Sequence, residues 1–182
     1  MLETIRTCDK CGLCKHQKPL IDSVQECQVF WVGLSAKLSV CENEKPLSPT
    51  TNSGSLLCKI EENCASILTY RTNIVKCAPL DAAGKLRYPN KKEISICLPH
   101  IDDEIKELSP KVVFLLGNKV TEAISKQYSI DFKKWCAFDY TFVKHENLYF
   151  VPIHHPSYIY VYKRKQVPEY IHSIANIIEQ LV

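Results

Sequence analysis

"KVVFLLGN", Lys111 to Asn118, holds five consecutive apolar residues closed by Gly117, and the next residues, "KVTEAISKQY" (Lys119–Tyr128), change to helical spacing. A short unbroken apolar run fits a strand buried on both faces, so the pair reads as a strand leading into a helix. The same alternation extends in both directions. Upstream, "VFWVGL" (Val29–Leu34) is a first buried strand, and Leu56, Leu57, Ile60, Cys64 and Ile67 then recur at helical spacing. "LTYRTNIV" (Leu68–Val75), rich in β-branched and aromatic residues, is a second strand. Ile94, Cys97, Ile101, Ile105 and Leu108 form one helical stripe that stops before Pro110. Downstream, "NLYFVPIHHP" (Asn147–Pro156) is a fourth strand, in which Pro152 marks an edge or a strand end. Tyr170, Ile174, Ile177, Ile178 and Leu181 share a face of a closing helix.

Four strands alternating with helices predict an α/β fold: a three-layer αβα sandwich around a central four-stranded parallel sheet. The 182 residues suit a single domain, 1–182, with a cysteine segment at its N-terminus. Ligands of such sheets bind outside the carboxyl ends of the strands. That rule selects Gly33–Lys37, the neighbourhood of Asn73, Gly117–Asn118 and His154–Ser157.

Composition narrows the class. With 46% hydrophobic and 24% charged residues the chain is an ordinary globular one, not a disordered or low-complexity one. A formal charge of +3 permits a nucleic-acid partner without arguing for it. No apolar stretch reaches membrane-spanning length, and the start, "MLETIRTCDKC", lacks the pattern of a secretory leader. The expectation is a cytoplasmic monomer without a membrane partner. Its ten cysteines are then reduced, and serve as ligands, nucleophiles or small core residues.

"CDKCGLC" (Cys8–Cys14) contains a Cys-x-x-Cys pair that can clasp a metal. Cys77, directly after the second strand, and Cys97, on the long helical stripe, are further candidates if the loop Ala78–Asn90 brings them face to face. Cys97 also reads as a core cysteine, as Cys64 does. Cys27, Cys41, Cys58 and Cys136 lack partners at ligand spacing and read as structural. Spacing does not separate zinc from an iron–sulfur centre.

Taken in order, several stretches resemble the uracil-DNA glycosylase superfamily, specifically its iron–sulfur branch (families 4 and 5). They are "CDKCGL", "VFWVGLSAK", "KPLSPTTNSGSLL", "YRTNIVKCAP", "PNKKEISICLPHI", "SPKVVFLLGNKV" and "HHPSYIY". The resemblance spans nearly the whole chain, and its order and spacing carry it rather than any one motif. It implies a [4Fe–4S] cluster, with zinc the weaker alternative, held by Cys8, Cys11, Cys77 and Cys97. Cys14 is then a bystander or a substitute for Cys11.

The resemblance also implies a catalytic layout on DNA. Asn73 reads the edge of a flipped uracil, since a carboxamide matches N3–H and O4 together; the alternative is a strand-end residue bonded to local backbone. His155 donates to uracil O2 as the glycosidic bond breaks. His154 competes for that role, and a His–His metal pair is the rival reading. Gly33, Leu34, Ser35 and Leu47 line the base site. Ser157 and Tyr158 belong to a DNA-facing loop, where Tyr158, Ile159 and Tyr160 are wedge candidates and Lys163, Arg164 and Lys165 neutralise phosphates.

The chain departs from the family at three points. Leu34 stands where family 4 has an acidic residue, Lys37 is unusual after it, and Leu47 replaces a stacking phenylalanine. No carboxylate is placed to activate water, since Glu42 and Glu44 read as solvated loop charges. The expected function is excision of uracil or a related modified base from DNA. The alternative is a non-catalytic iron–sulfur or zinc module that binds nucleic acid.

Overall fold

A computed structural model describes residues 2–23, 26–39, 41, 44–64 and 66–182. Its centre is a sheet of β1 (Val29–Ser35), β2 (Thr69–Val75), β3 (Val112–Leu116), β4 (Val143–His145) and β5 (Leu148–Ile153), in the order β2-β1-β3-β5-β4. β1 runs parallel to β2 and β3, and β3 parallel to β5. Gly33 is the partner of Asn73 in the β1–β2 register.

The strands are apolar on both faces because both are covered. Along β1, Phe30 and Val32 join one buried cluster while Val29 and Trp31 join the other, the period-2 alternation of a pleated strand. The first cluster is closed by α1 (Leu2–Arg6), α3 (Lys91–Cys97), α4 (Pro99–Leu108) and α5 (Asn118–Tyr128), through Ile5, Cys97, Ile101, Val120 and Ile124. The second is closed by α2 (Asn52–Glu61), α6 (Pro156–Tyr162) and α7 (Val167–Leu181), through Leu56, Leu57, Ile60, Ile159, Tyr170 and Ile174. This is the expected three-layer αβα sandwich.

Two expectations are corrected. The sheet has five strands, not four. β4 pairs antiparallel with β5 through Val143, Lys144 and His145, and turns at Glu146, which has φ 53°. Three residues are too short for an alternating signature, and Glu-Asn is not the glycine-containing pair that marks a tight hairpin. Pro152 still sits where no strand lies outside it, because β4 pairs only as far as Phe150. The stripe from Ile94 to Leu108 is two helices. Pro99 has no N–H to continue α3, so the chain restarts there, with Pro99 at the first position of α4.

Candidate active site and cysteine cluster

The carboxyl ends of β1, β2, β3 and β5 open onto one cleft of about 810 Å³. Asn73, Leu34, Ser35, Leu47, His155, Ser157 and Tyr158 all line it, so residues from four separate stretches meet there. Gly33 stands directly behind Asn73.

Asn73 lies within β2, 3% exposed, rather than at its end. Its carboxamide is engaged by no described side chain or backbone group, so the local-backbone alternative does not describe it. The strand under it is braced by a buried polar network. Lys76 Nζ pairs with Glu104 and donates to Thr72 Oγ1 at 2.7 Å, while the hydroxyls of Thr72 and Tyr70 each donate to Glu104 Oε1 at 3.0 Å. Burial and the neighbouring Glu104 carboxylate push the Tyr70 phenol up, keeping it a donor. Sequence reasoning gave Lys76 and Glu104 no role. The available signal was a lysine directly after the apolar pair Ile74–Val75 that ends the strand.

The two adjacent histidines do different work. Trp135 Nε1 donates to His154 Nε2 at 2.8 Å, and His154 Nδ1 lies 2.7 Å from the Tyr140 hydroxyl. Both ring nitrogens are thereby used inside the fold, which removes His154 as a donor to substrate and as half of a His–His metal pair. His155 caps α6. Its Nδ1 accepts from the Ser157 N–H at 3.2 Å and lies 2.7 Å from Ser157 Oγ. Burial lowers its pKa and favours the neutral ring. A neutral ring that accepts at Nδ1 carries its proton on Nε2, where it can be donated.

Leu47 covers the Asn73 side of the cleft; its Cδ2 would be 3.3 Å from a β-carbon on Gly33. It holds a positive φ of 50°, and Arg71 maintains that turn by donating from Nη1 to the Leu47 carbonyl at 3.0 Å. Arg71 is itself paired with Glu61, which also accepts from Trp31 Nε1 at 3.0 Å.

Glu44 is not a solvated charge. It is buried and paired with Lys37 at 2.7 Å, and Lys37 lines the cleft. Glu42 lies outside the described residues. Among the described residues that line the cleft there is no carboxylate.

The segment after His155 is the helix α6, not a loop, and this changes which residues face the cleft. Tyr158, Val161 and Tyr162, spaced three and four apart, are 41%, 58% and 73% exposed and line it. Ile159 is wholly buried in the core and cannot act as a wedge. Tyr160 faces the α2 side instead, with the Arg164 guanidinium 5.4 Å from its ring centre. Lys163 and Arg164 follow α6 and are not brought to the cleft. Helical spacing would have found Val161 and Tyr162, had the segment been read as a helix.

The cysteines converge at the other side of the β2 end. Burial pushes the Cys77 thiol up, and the thiols of Cys11, Cys97, Cys14 and Cys8 push it further. Cys97 is raised by burial, with Cys11 and Cys8 adding to it. Cys97 therefore packs against the end of β2, next to Cys77. His100 Nε2 lies 3.4 Å from Cys8 Sγ, and the Lys76 N–H points at Cys97 Sγ from 3.5 Å. Among the described residues, no three such side chains close on a single ion. Cys64 is buried and donates to the Ile60 carbonyl at 3.4 Å, as a core cysteine. Cys27 is buried as expected, and its thiol is pushed up to about 12. Cys58 is half-buried beside Arg71. Cys41 and Cys136 are exposed, so a packing role does not hold for them.

Known proteins supply the frame for this geometry. The sequence model of the uracil DNA glycosylase superfamily matches residues 24–179. The chain is similar to the type-4 uracil-DNA glycosylase of Pyrobaculum aerophilum, 31% identical over 119 residues, covering 63% of this chain and 58% of that one. It is similar also to the type-4 uracil-DNA glycosylase of Sulfurisphaera tokodaii, 22% identical over 170 residues, covering 91% and 68%. The match thus spans little more than half the length of the first relative. The crystal structure of SMUG2 from Pedobacter heparinus superposes with a TM-score of 0.58 at 14% identity, over 86% of this chain and 76% of that one, a likeness of fold.

Proposed function

The chain belongs to the uracil DNA glycosylase superfamily, and from that membership we propose that it is a DNA glycosylase that excises uracil. A deoxyuridine is flipped out of its strand into the cleft, and its C1′–N1 bond is hydrolysed to leave an abasic site and free uracil. The observation that carries the reading is the pairing of an unengaged Asn73 carboxamide with a neutral His155 on one cleft.

The Asn73 carboxamide accepts from uracil N3–H and donates to O4. Cytosine offers the opposite pattern at that edge. As C1′–N1 breaks, the bonding electrons leave with the base and charge gathers on O2. His155 Nε2–H is the fixed donor for it, worth roughly 3–4 kcal/mol by analogy with oxyanion holes. Water then adds to the oxocarbenium-like sugar at C1′, and the proton it sheds passes through solvent to the departed uracil anion, giving free uracil. Lys119 on the cleft wall suits the phosphodiester backbone, while Lys37, Lys45 and Arg87 are already paired with Glu44, Asp22 and Glu93.

The thiol set fits an iron–sulfur cluster better than one zinc ion. Thiols from the N-terminal segment, the end of β2 and α3 gather in one place, and an all-thiolate donor set is the one iron–sulfur clusters take. Cys8, Cys11, Cys77 and Cys97 are its proposed ligands, with Cys14 beside them. A cluster held by these residues would tie the N-terminal segment to the end of β2; none of the four lines the cleft. Reduced thiols accord with a cytoplasmic enzyme, here taken as a monomer. No described helix is long and apolar enough to cross a membrane.

The test is incubation with a uracil-containing oligonucleotide followed by alkali. Strand breaks at uracil are expected from the wild type, and their loss from His155→Ala and Asn73→Ala. Intact uracil DNA, together with salt-sensitive binding, would leave the non-catalytic reading standing.

A further inference from the structure

Tyr88 lines the cleft with 71% of its surface exposed, and its backbone is anchored. Its carbonyl accepts from Arg87 Nη1 at 3.0 Å, and Arg87 Nε donates to the Leu80 carbonyl at 3.0 Å. The same guanidinium grips both oxygens of Glu93, at 2.8 and 2.6 Å. Glu93 in turn closes a reciprocal cap with Asn90 at the start of α3. The ring is pinned from α5 as well, by the Lys119 ammonium 3.7 Å from its centre. Across the mouth stand Tyr158 and Tyr162, their rings 5.4 Å apart.

We propose that Tyr88 is a stacking platform for an unpaired base next to the flipped nucleotide, the base lying on the ring face opposite Lys119. This deepens the glycosylase reading and rests on it. A rigid aromatic loses little freedom on binding, which suits a side chain left largely in water. Base–aromatic stacking tolerates any base, as a repair enzyme meeting arbitrary neighbours requires. In an intact duplex a base shows only its edges, and flipping bares just the inward face of each neighbour, so a base that lies flat on a ring at the cleft mouth is one free to swing out, in single-stranded or frayed DNA. Lys119, which is in no ion pair among the described residues, gives this wall a positive charge that suits a phosphodiester strand rather than an apolar protein segment.

The full chain is tested with a single-stranded oligonucleotide carrying 2′-fluoro-deoxyuridine, which binds but resists cleavage, and 2-aminopurine beside it on either side. The 2-aminopurine fluorescence is expected to be quenched on binding wild type and Tyr88→Phe, and to stay bright with Tyr88→Ala and Tyr88→Leu. Tyr88→Leu keeps apolar bulk without a flat ring and so isolates stacking. Tyr88→Ala should weaken single-strand binding about tenfold, in line with one lost base stack, and weaken binding of the same site in a duplex less than about threefold. Unchanged single-strand affinity, equal losses on both substrates, or no DNA binding by the wild type would each overturn the proposal. Tyr88-dependent quenching without excision would instead remove the uracil reading and keep the platform. Normal excision with unaltered Tyr88→Ala binding would do the reverse.

Discussion

Gly33 and Asn73 face each other across the parallel β1–β2 pair, and a β-carbon on Gly33 would lie 2.3 Å from Asn73 Oδ1. The Asn73 carboxamide therefore occupies space that any other residue at position 33 would fill. A sheet pairing sets the position of the side chain proposed to recognise uracil.

Gly33→Ala is expected to displace the Asn73 carboxamide without unfolding the strand. A misplacement on the order of 1 Å can cost about 100-fold in rate, so kcat/KM for uracil excision should fall about that much. Excision kinetics beside a circular-dichroism melt separate this from unfolding. Near-normal kcat/KM would mean that Asn73 does not read the base.

The Lys76–Glu104 pair is almost fully buried, at 1% and 0% side-chain exposure. Glu104→Ala leaves an uncompensated ammonium beneath β2 and should destabilise the fold by about 3–5 kcal/mol in urea denaturation. Replacing both partners, as Lys76→Met with Glu104→Leu, should recover much of that loss, because no buried charge then remains. A loss no smaller in the double variant would show that the network matters through its hydrogen bonds rather than its charge.

Burial lowers the pKa of His154 below its ordinary 6.5. Between that value and its lowered folded value, the unfolded chain binds a proton that the folded chain does not. Stability is therefore highest above pH 6.5, falls as the pH drops through this window, and levels once His154 protonates in the fold. Melting temperature should decline from pH 7.5 to 5.5, and His154→Gln should decline less over the same range. Parallel pH profiles for the two proteins would count against this account.

Removing Cys77 tests the thiol cluster. Cys77→Ala should lower iron content per chain in an anaerobic preparation, weaken its brown absorbance, and raise hydrogen exchange in the N-terminal residues 2–20. Zinc in place of iron in the wild type would overturn the cluster assignment while leaving a metal site.

Much of this was legible in the chain because it depends on local order. Apolar runs such as Val112–Leu116, each followed by helical spacing, determine a parallel sheet covered on both faces. The strand ends of that sheet already selected the neighbourhoods of Asn73 and His154–Ser157, and the family resemblance singled out Asn73 and His155 within them. Where the sequence misled, a local signal was weak or had two meanings. β4 is too short to show a period, and the residues after Pro156 read as a basic loop until their helix is seen.

The sequence by itself determined the layer order, the strand ends and the cysteine candidates, because hydrophobic period and turn chemistry act over a few residues. Tertiary structure alone decided which partners those side chains meet. It gave both ring nitrogens of His154 to Trp135 and Tyr140 and left His155 Nε2 for a ligand. It set Glu104 under Lys76, 28 residues away, and Lys119 over Tyr88. Such contacts depend on how helices from distant parts of the chain pack onto the sheet, and no local pattern encodes that distance.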